Sequence, residues 1–587
     1  MRFVSSLILT LAPLIGGTIA AAPVAAQSLA ASTAAIYASA SSDTARYRPI
    51  LSALSGQRWS EAKAGITALD ETDSMRFWLL GELYTAKTSP RVELFDLMDL
   101  LAKAPWLPKA DQIGRLATKR GAQILPQGAQ VRQLMWTGGA PQRAILRPVK
   151  GDAMADSLRT TLLEKIKADD PAGGEALLSG AEANLGNEGR TELRQRLAWS
   201  YYITGRTADA RRMAALATQD GVGGYVAPAW WVAGLAAWRE KDWAEAGRAF
   251  AMTASRADDA DLRSGGYFWA ARSAMAERKP EKINALLQAA GRYGETFYGM
   301  LARETLGIGP DPALRREPLT TADLSEIGSR PNARNAIILS ALGQSAQADE
   351  VLRREAELAG TTHYAALVHL ASALSLPTTQ LWLAQRSPSG TAAKAYGRYP
   401  SPDWTPSNGW QVEKALVYAH TLQESRFRAN AVSMAGARGV MQVRPGTAAE
   451  LAAANGLAYS PDQLDDPAMN LALGQLYLKK LAGMSATGGL LPKVIAAYNA
   501  GPTPIDRWNV AVRDEGDPLL FIESVPYYET RAYLNAVLRN YWIYQIDAQG
   551  RSPALSAMAQ GMWTRFPDGS KDVAVRMKPT QFASGSD

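Results

Sequence analysis

The sequence predicts a mainly all-α protein, and two observations support that prediction. From about residue 30 to residue 390, alanine, leucine, arginine and aromatic residues recur at steps of three and four, interrupted by short turns with Gly, Pro or Asp. Runs of alternating β-branched residues are almost absent. The content of 47% hydrophobic and 20% charged residues is typical of a globular protein, and 587 residues are enough for several domains.

The N-terminus, MRFVSSLILTLAPLIGGTIAAAPVAAQ, predicts a secretory signal peptide over residues 1–26, with cleavage after Ala26. A membrane anchor is the weaker alternative, because Pro and Gly interrupt the apolar run and no charged flank follows. Cysteine is absent, so a bacterial lipid anchor on cysteine is excluded. No later run reaches the roughly 18 apolar residues of a spanning helix. We therefore expect a periplasmic protein without an integral membrane segment in the mature chain.

Residues 27–315 predict a solenoid of helical hairpins. An aromatic pair, a small residue and an Ala-rich second helix recur, for example from Trp199, from Trp230 and from Tyr267. Each such hairpin buries its apolar face only against the next, as in tetratricopeptide-like repeats, so the aromatic side chains are expected to form the core.

Three further regions follow the predicted solenoid. Residues 316–395 predict a helical linker domain, which the Pro-rich stretch YPSPDWTPSNG (399–409) separates from a compact unit at 396–555. Residues 556–587 are polar and are expected to form a frayed tail.

The charge of the chain constrains its partners only weakly. The formal net charge is +7 and the pI is near 9.3, but no dense block of Lys and Arg is present. Nucleic acid is therefore not indicated as a partner, whereas an anionic polymer is compatible with the charge.

Glu424 is the candidate catalytic residue of the compact unit. It lies in the last turn of a helix predicted from Trp410 to Phe427. The negative end of the helix dipole and apolar neighbours would both raise the pKa of its carboxyl group. An acid that stays protonated near neutrality suits protonation of a leaving-group oxygen. On the residues alone, a solvated surface acid remains the alternative.

The loop after Glu424 predicts a binding site for a polar ligand. Gly436 and Gly439 are expected to provide left-handed backbone or close approach, and the side chains of Ser433 and Gln442 offer neutral donors and acceptors. A second helix is expected to start at Pro445-Gly446-Thr447, with Thr447 and Glu450 at the spacing of a capping box.

A metal site is not expected in this chain. His420, four residues before Glu424, could share its helix face, but zinc would need further ligands. The other histidines, His363 and His369, lie in the preceding region. A Cys nucleophile, a Gly-x-Ser-x-Gly elbow and a phosphate-binding loop are also absent from the sequence.

Five motifs then follow one another in order: ESRF, AVSMAGARGVMQVRPGTA, LDDPAMNLALGQLYL (464–478), AAYNAGP (496–502) and ESVPYYETRAYLNAVL (523–538). Together they resemble the lysozyme-like catalytic domain of the soluble lytic transglycosylases, which cut bacterial peptidoglycan. The helical front is similar to the U-shaped α-superhelical domain of the large branch of that family. APWLP (104–108) and FYGMLARETLG (297–307) also resemble that branch.

The resemblance implies roles for individual residues. Glu424 matches the single acid/base of the family, and Ser433 matches a serine that contacts the N-acetyl group of the sugar beside the cleaved bond. The remaining matches are positions that line the substrate cleft: Gln442, Tyr498, Asn499 and Glu529.

Two positions depart from the family pattern. Arg428-Ala429 replaces a frequent Asp-Pro, which affects the stiffness of the loop. Arg444 replaces a frequent cleft methionine, which could alter a sugar or peptide subsite.

The implied activity is cleavage of the MurNAc-β-1,4-GlcNAc bond of peptidoglycan with formation of a 1,6-anhydroMurNAc end, by one carboxylate and without a cofactor. Glycan strands are the implied substrate, and the helical front could also hold proteins of cell-wall synthesis or division. A muramidase-type hydrolase and a non-catalytic helical scaffold that grips peptidoglycan are the alternatives.

Overall fold

The computed structural model describes residues 44–389, 391, 394–568 and 573–577. The predicted signal peptide lies outside these residues. In the described part nearly all regular structure is helical, as the sequence predicts. The first half contains α1 (44–55), α2 (Trp59–Thr67), α3 (Ser74–Thr85), α4 (Leu94–Lys103), α5 (Ala110–Lys119), β1 (Leu134–Trp136), α6 (Ala153–Lys167), α7 (Pro171–Ala181), α8 (Asn187–Ile203), α9 (Thr207–Gln219), α10 (Val226–Arg239), α11 (Trp243–Arg256), α12 (Ala260–Ala276), α13 (Pro280–Gly291) and α14 (Phe297–Thr305).

The second half contains shorter helices and the long helix α26. Its elements are α15 (Thr321–Ile327), α16 (Pro331–Ala341), α17 (Ser345–Ala359), α18 (Tyr364–Ala373), α19 (Pro377–Ala384), β2 (Arg386–Pro388), α20 (Lys414–Glu424), α21 (Pro445–Ala454), α22 (Pro467–Ala482), α23 (Leu491–Ala500), α24 (Pro502–Ala511), α25 (Pro518–Ser524), α26 (Tyr528–Gln549), α27 (Pro553–Ala559), β3 (Trp563–Thr564) and β4 (Ala574–Val575). The strands pair as two short antiparallel ladders, β1 with β2 and β3 with β4.

Helices α8 to α13 form the predicted series of helical hairpins. Each helix packs on the next in the chain. Trp231 is 5% exposed and Trp269 is fully buried, whereas Trp199, Trp230 and Tyr267 are partly buried and pack against the core. The small residues allow close approach of the helices. A Cβ added at Gly234 would lie 2.6 Å from the ring of Phe250, and one at Gly266 would lie 2.7 Å from the backbone of α11. The hairpin prediction is therefore confirmed.

The buried apolar side chains form two clusters, and most helices contribute to one cluster or the other. One cluster joins residues 47–117 with residues 319–396. The other joins residues 155–314 with residues 395–566. Side-chain hydrogen bonds also connect the two parts of the first cluster. The Ser74 hydroxyl donates to Asn335 Oδ1 at 2.6 Å, and Asn332 Nδ2 donates to the Trp106 carbonyl at 3.0 Å. The helices before β1 thus pack with α15–α19, although about 200 residues separate them in the chain.

Residues 121–152, here called the connecting segment, contain no helix. Its first part forms β1. Backbone carbonyls of its second part accept hydrogen bonds from both sides. Tyr225, the N-cap residue of α10, donates to the Arg147 carbonyl at 3.1 Å, and Tyr528 of α26 donates to the Ala144 carbonyl at 2.8 Å. The connecting segment therefore links the solenoid to the C-terminal unit.

A buried ionic cluster reinforces this link. Arg143 of the connecting segment donates two hydrogen bonds to Glu523 of α25, at 2.7 and 3.1 Å, and lies 3.3 Å from Asp261 of α12. The Tyr298 hydroxyl donates to Glu523 Oε1 at 2.7 Å. Because both carboxylates are almost fully buried, the charge of Arg143 is needed to balance them.

Both boundaries of the C-terminal unit are packed. In the stretch 399–409, Tyr544 donates to the Pro400 carbonyl at 2.7 Å and Tyr418 donates to the Pro402 carbonyl at 2.8 Å. The tail expected at 556–587 begins with packed structure instead: Met558 is fully buried and Trp563 is 1% exposed. These few apolar residues outweigh the polar composition of the region. Residues 578–587 lie outside the described part.

Candidate active site

Glu424 is the last residue of α20. The sequence predicts a longer helix, from Trp410 to Phe427, but the observed helix begins at Lys414 and ends at Glu424. It ends because Arg426 and Phe427 have positive φ angles of 55° and 62°. Phe427 accepts this unfavourable backbone because its ring is buried, 5.4 Å from the ring of Tyr418. The predicted place of Glu424 in the last turn is confirmed.

The carboxyl group of Glu424 is partly buried and has one side-chain partner among the described residues. The Tyr533 hydroxyl of α26 donates to Glu424 Oε1 at 2.6 Å. Burial raises the pKa of Glu424 from 4.5 to about 7, the hydrogen bond from Tyr533 opposes that rise, and the negative charge of Glu529 adds to it. A solvated surface acid would show neither the burial nor the shift. The raised pKa expected from the sequence is therefore found, with burial as its main cause.

His420 lies behind Tyr533 and is fully buried. Its Nδ1 is 2.8 Å from the Tyr533 hydroxyl, and burial lowers the pKa of His420 to about 3, so the ring is neutral. Since Tyr533 uses its proton on ionised Glu424, Nδ1 of His420 carries the hydrogen and donates it to Tyr533. The three side chains form a chain of hydrogen bonds that fixes the position of Glu424.

The histidines do not assemble a metal site in the described residues. His363 contacts Glu326 at 2.7 Å, while His369 contacts Asp323 at 3.1 Å and Glu317 at 3.2 Å. In the same part of the chain, no group of three or more His, Cys, Asp or Glu side chains could hold a metal ion.

The loop from 425 to 444 is built by two glycines and one buried asparagine. Gly436 and Gly439 have φ angles of 75° and 79°, which confirms the expected left-handed backbone. A Cβ on Gly439 would lie 2.1 Å from Asn470 Nδ2 and 2.2 Å from the Leu464 carbonyl oxygen. Asn470 of α22 accepts from the Met441 amide at 2.8 Å and donates to the Arg438 carbonyl at 2.9 Å. Asn470 thus supports the loop from behind.

Ser433 and Gln442 both take part in the structure of this loop. The Ser433 Oγ accepts from the Ala437 amide at 3.0 Å, and its hydroxyl hydrogen is still able to donate. Gln442 Nε2 donates to the carbonyls of Ala431 and Gly439, both at 2.9 Å. The side-chain carbonyl oxygen of Gln442 accepts no hydrogen bond from a described residue, so it can accept one from a ligand.

Tyr498 and Asn499 lie at the end of α23. The Tyr498 hydroxyl donates to the Met441 carbonyl at 2.8 Å, and its ring lies 4.6 Å from the ring of His420. Burial and then the charge of Glu424 raise the pKa of Tyr498 well above its usual value. Asn499 Oδ1 accepts from the Thr530 hydroxyl at 2.7 Å, so part of its side chain is used within the protein.

Glu529 is exposed in the first turn of α26, four residues before Tyr533. It is close enough to raise the pKa of Glu424 through its charge. The structure thus gathers Glu424, Tyr498 and Glu529 around one site. Ser433 stands on the adjoining loop and has no direct contact with Glu424.

The other acidic residues of the motifs pair with groups that do not belong to the site around Glu424. Asp465 pairs with Arg438 at 2.6 Å, Asp466 accepts from backbone amides at the start of α22, and Glu523 belongs to the cluster with Arg143. Among the acids of the recognised motifs, Glu529 is the single one left beside Glu424.

The start of α21 differs from the expected capping box. The helix begins at Pro445, and its N-cap is Arg444, which makes no capping hydrogen bond with its side chain. Thr447 is therefore already inside the helix, and Glu450 pairs with Lys480 of α22. The capping-box prediction is wrong. Arg444 is exposed and has no ion-pair partner among the described residues.

Sequence reasoning did not single out Tyr533, His420 as its partner, or Asn470. Tyr533 could have been found from its spacing, because it follows Glu529 by four residues and lies on the same face of α26. No local signal identifies Asn470.

Comparisons with known proteins place this site in a family context. Residues 405–521 match the model of the transglycosylase SLT domain. A soluble lytic murein transglycosylase of Escherichia coli is 32% identical over 161 residues, which are 27% of this chain and 24% of the relative. Its counterpart from Salmonella typhimurium is 31% identical over the same shares. The matched segment thus spans about a quarter of these relatives.

Solved structures extend the likeness to most of the chain. An inactive mutant of the lytic transglycosylase Slt from Pseudomonas aeruginosa superposes with a TM-score of 0.52 at 20% identity, covering 86% of this chain and 87% of that one. The 70 kDa soluble lytic transglycosylase of Escherichia coli gives a TM-score of 0.52 at 17% identity, covering 90% and 99%. At these identities the likeness establishes the all-α fold. Among the described residues, no helix is long and apolar enough to cross a membrane.

Proposed function

We propose that this protein, whose residues 405–521 match the model of the transglycosylase SLT domain, is a peptidoglycan lytic transglycosylase. It cleaves the MurNAc-β-1,4-GlcNAc bond and leaves a 1,6-anhydroMurNAc end. The observation that carries the proposal is the state of Glu424: a single partly buried carboxyl group with a pKa near 7, held by Tyr533 at the edge of the site.

Glu424 acts first as an acid. Its pKa of about 7 keeps a large fraction protonated near neutrality, so it can donate a proton to the glycosidic oxygen as the C1–O bond breaks. The positive charge that develops at C1 is stabilised by the acetamido oxygen of the same MurNAc, which bonds to C1. The GlcNAc leaves with the donated proton on its O4.

Glu424 then acts as a base. Its carboxylate removes the proton of the C6 hydroxyl, whose oxygen attacks C1 and displaces the acetamido oxygen. The 1,6-anhydro ring forms, and Glu424 regains its proton without any water being consumed. Tyr533 stabilises the ionised intermediate state of Glu424, because it donates a short hydrogen bond to Oε1.

The geometry supports one carboxylate in preference to two. Most glycosidases place two carboxyl groups on either side of the bond. Here Glu529 is the acid whose charge acts on Glu424, and it is exposed at the start of α26. We assign Glu529 to substrate binding, together with Ser433, Gln442, Tyr498 and Asn499. Of these, Gln442 and Ser433 have hydrogen-bonding capacity left for N-acetyl or hydroxyl groups of a sugar.

The proposed place of action is the periplasm, where peptidoglycan is found. The predicted signal peptide and the names of the relatives support that placement. Binding of cell-wall synthesis or division proteins to the helical front stays a prediction. The modest positive charge of the chain favours an anionic partner such as the lactyl and peptide carboxylates of the glycan.

The test compares Glu424→Gln with a matched control on purified sacculi. The control is Glu413→Gln, because Glu413 precedes the same helix and accepts a hydrogen bond from Tyr541 of α26, as Glu424 does from Tyr533. Release of anhydromuropeptides should fall by at least about 10³-fold in Glu424→Gln, since both proton transfers are lost. It should stay near the wild-type rate in Glu413→Gln.

Release of anhydromuropeptides by Glu424→Gln at the wild-type rate would contradict the assignment of Glu424 as the acid and base of the reaction. Binding to sacculi without any released product from the wild-type protein would indicate a scaffold instead of an enzyme. A released product with a reducing MurNAc end would indicate a hydrolase.

A further inference from the structure

The loop from 425 to 444 carries an excess of positive charge. It contains four arginines and no acidic residue, whereas the net charge of the whole chain is only +7. One of the four is balanced, because Arg438 pairs with Asp465 at 2.6 Å and also interacts with the charge of Asp462. The other three leave the loop with a net positive charge beside Glu424.

These three arginines, Arg426, Arg428 and Arg444, are exposed and form no ion pair within the described part of the chain. Arg428 Nε donates to the Ser425 carbonyl at 3.0 Å, so only one of its donor nitrogens is used. The side chains of Arg426 and Arg444 make no hydrogen bond with a described residue. Guanidinium groups that face solvent on one loop form a surface that attracts an anion.

Both of these unengaged side chains start close to the candidate active site. Arg426 follows Glu424 by two residues, so their Cα atoms are at most about 7 Å apart. At the other end of the loop, the Tyr498 hydroxyl of the site donates to the Met441 carbonyl at 2.8 Å. Arg444 follows Met441 by three residues, so it lies within about 11 Å of that contact point.

The acidic groups around the loop leave its charge in place. Asp466 caps α22, and Glu450 pairs with Lys480. The charge that acts on the pKa of Glu424 is that of Glu529, and no arginine lowers this pKa. The guanidinium groups therefore stand away from the Glu424 carboxyl group, where a cation would lower its pKa and leave less of the protonated acid.

We propose that Arg426 and Arg444, assisted by the charge of Arg428, bind a carboxylate on the lactyl or peptide substituent of MurNAc. This contact rests on the proposed function, because it adds a group of the substrate to the same site. The substituent is attached at O3 of the sugar, away from the C1 atom at which the bond breaks, which agrees with arginines that stand away from Glu424. Each guanidinium presents N–H donors in a fork that matches the two oxygens of a carboxylate.

The test measures binding to full-length Glu424→Gln protein, which should not consume its ligand. Three tetrasaccharides of alternating GlcNAc and MurNAc are titrated by calorimetry. The first has free lactyl carboxylates, the second has lactyl carboxamides, and in the third the lactyl groups carry the dipeptide Ala-Ala with a free C-terminus. At least one of the two carboxylate ligands should bind about 10-fold or more tightly than the carboxamide, and the one with the larger preference identifies the source of the carboxylate.

Further substitutions in the same protein locate the carboxylate. Arg426→Gln and Arg444→Gln should each weaken binding of the preferred acid by about 3-fold or more and leave binding of the carboxamide unchanged. The double variant should bind acid and carboxamide equally. Arg115→Gln is the control and should bind as its parent does, because Arg115 is an exposed arginine of α5 that forms no ion pair with a described residue.

Equal affinity of the parent protein for all three ligands would overturn the proposal, as would an acid preference that survives in the double variant. Release of anhydromuropeptides from sacculi by the wild type is measured in parallel. Anhydro products together with equal affinities would reject the arginine contact and leave the proposed activity standing. An acid preference that the double variant loses, without any anhydro product, would reject the activity and support the contact.

Discussion

Replacement of Tyr533 by phenylalanine tests whether this hydroxyl sets the pKa of Glu424. The hydroxyl donates to Glu424 Oε1 at 2.6 Å and lowers the pKa of Glu424 against the effect of burial. A hydrogen bond to a charged group is worth about 1.5–3 kcal/mol, and one pKa unit corresponds to about 1.4 kcal/mol. Tyr533→Phe should therefore raise the pKa of Glu424 from about 7 by about one unit or more.

The shift is visible in the pH dependence of kcat/KM for release of muropeptides from sacculi. Because the reaction starts from protonated Glu424, wild-type activity should fall as the pH rises through about 7. In Tyr533→Phe this fall should move about one pH unit higher, and the maximum should decrease because the carboxyl group is held less firmly.

Tyr541→Phe is the matched control for this experiment. It removes a tyrosine–glutamate hydrogen bond on the same helix but does not contact Glu424, so the wild-type profile should be retained. If the fall in Tyr533→Phe stays at the wild-type pH or moves lower, Tyr533 does not have the role assigned to it.

Three further predictions concern stability. The folded state raises the pKa of Glu424 from 4.5 to about 7, so the stability that its protonated form contributes is lost as the pH rises through that window. Between pH 4.5 and 8, the free energy of unfolding of the wild type should fall by about 3 kcal/mol relative to that of Glu424→Gln. Parallel pH profiles of the two free energies would contradict this. Gly439→Ala should lower the free energy of unfolding by more than about 3 kcal/mol and abolish activity. Gly436→Ala, whose added Cβ meets no atom within 4 Å, should lower it by only about 1 kcal/mol in urea unfolding. Equal losses in the two variants would be inconsistent with the loop geometry. Glu523→Gln weakens the charged hydrogen bonds that Glu523 accepts from Arg143 and Tyr298, and it should destabilise the protein by about 1.5–3 kcal/mol. The thermal midpoint and proteolysis of the connecting segment measure this, and an unchanged midpoint would argue against the cluster.

The sequence predicted those features that depend on neighbouring residues. The hairpins of α8 to α13 follow from local periodicity, and the left-handed glycines at 436 and 439 follow from their loop. The position of Glu424 near a helix end was also predictable. The exact end was not, because Phe427 leaves the helix in order to bury its ring, and that gain comes from contacts with Tyr418.

Features that depend on distant residues were not predictable. Tyr533 meets Glu424 across 109 positions of the chain. Asn470 supports the loop from 425 to 444 from another helix. The connecting segment joins two units through backbone carbonyls, whose partners cannot be read from the sequence. The failed capping box at Thr447 shows a smaller limit: a proline at the first helical position decided where α21 begins.

The central claim is that Glu424 closes an anhydro ring without water, and isotope labelling tests it most directly. Sacculi are digested by the wild-type protein in water enriched in ¹⁸O, and the released muropeptides are analysed by mass spectrometry. We expect 1,6-anhydroMurNAc ends that carry no ¹⁸O and are lighter by one water than the hydrolysis product. Reducing MurNAc ends that carry ¹⁸O at C1 would contradict the one-carboxylate transglycosylase mechanism and establish a hydrolase.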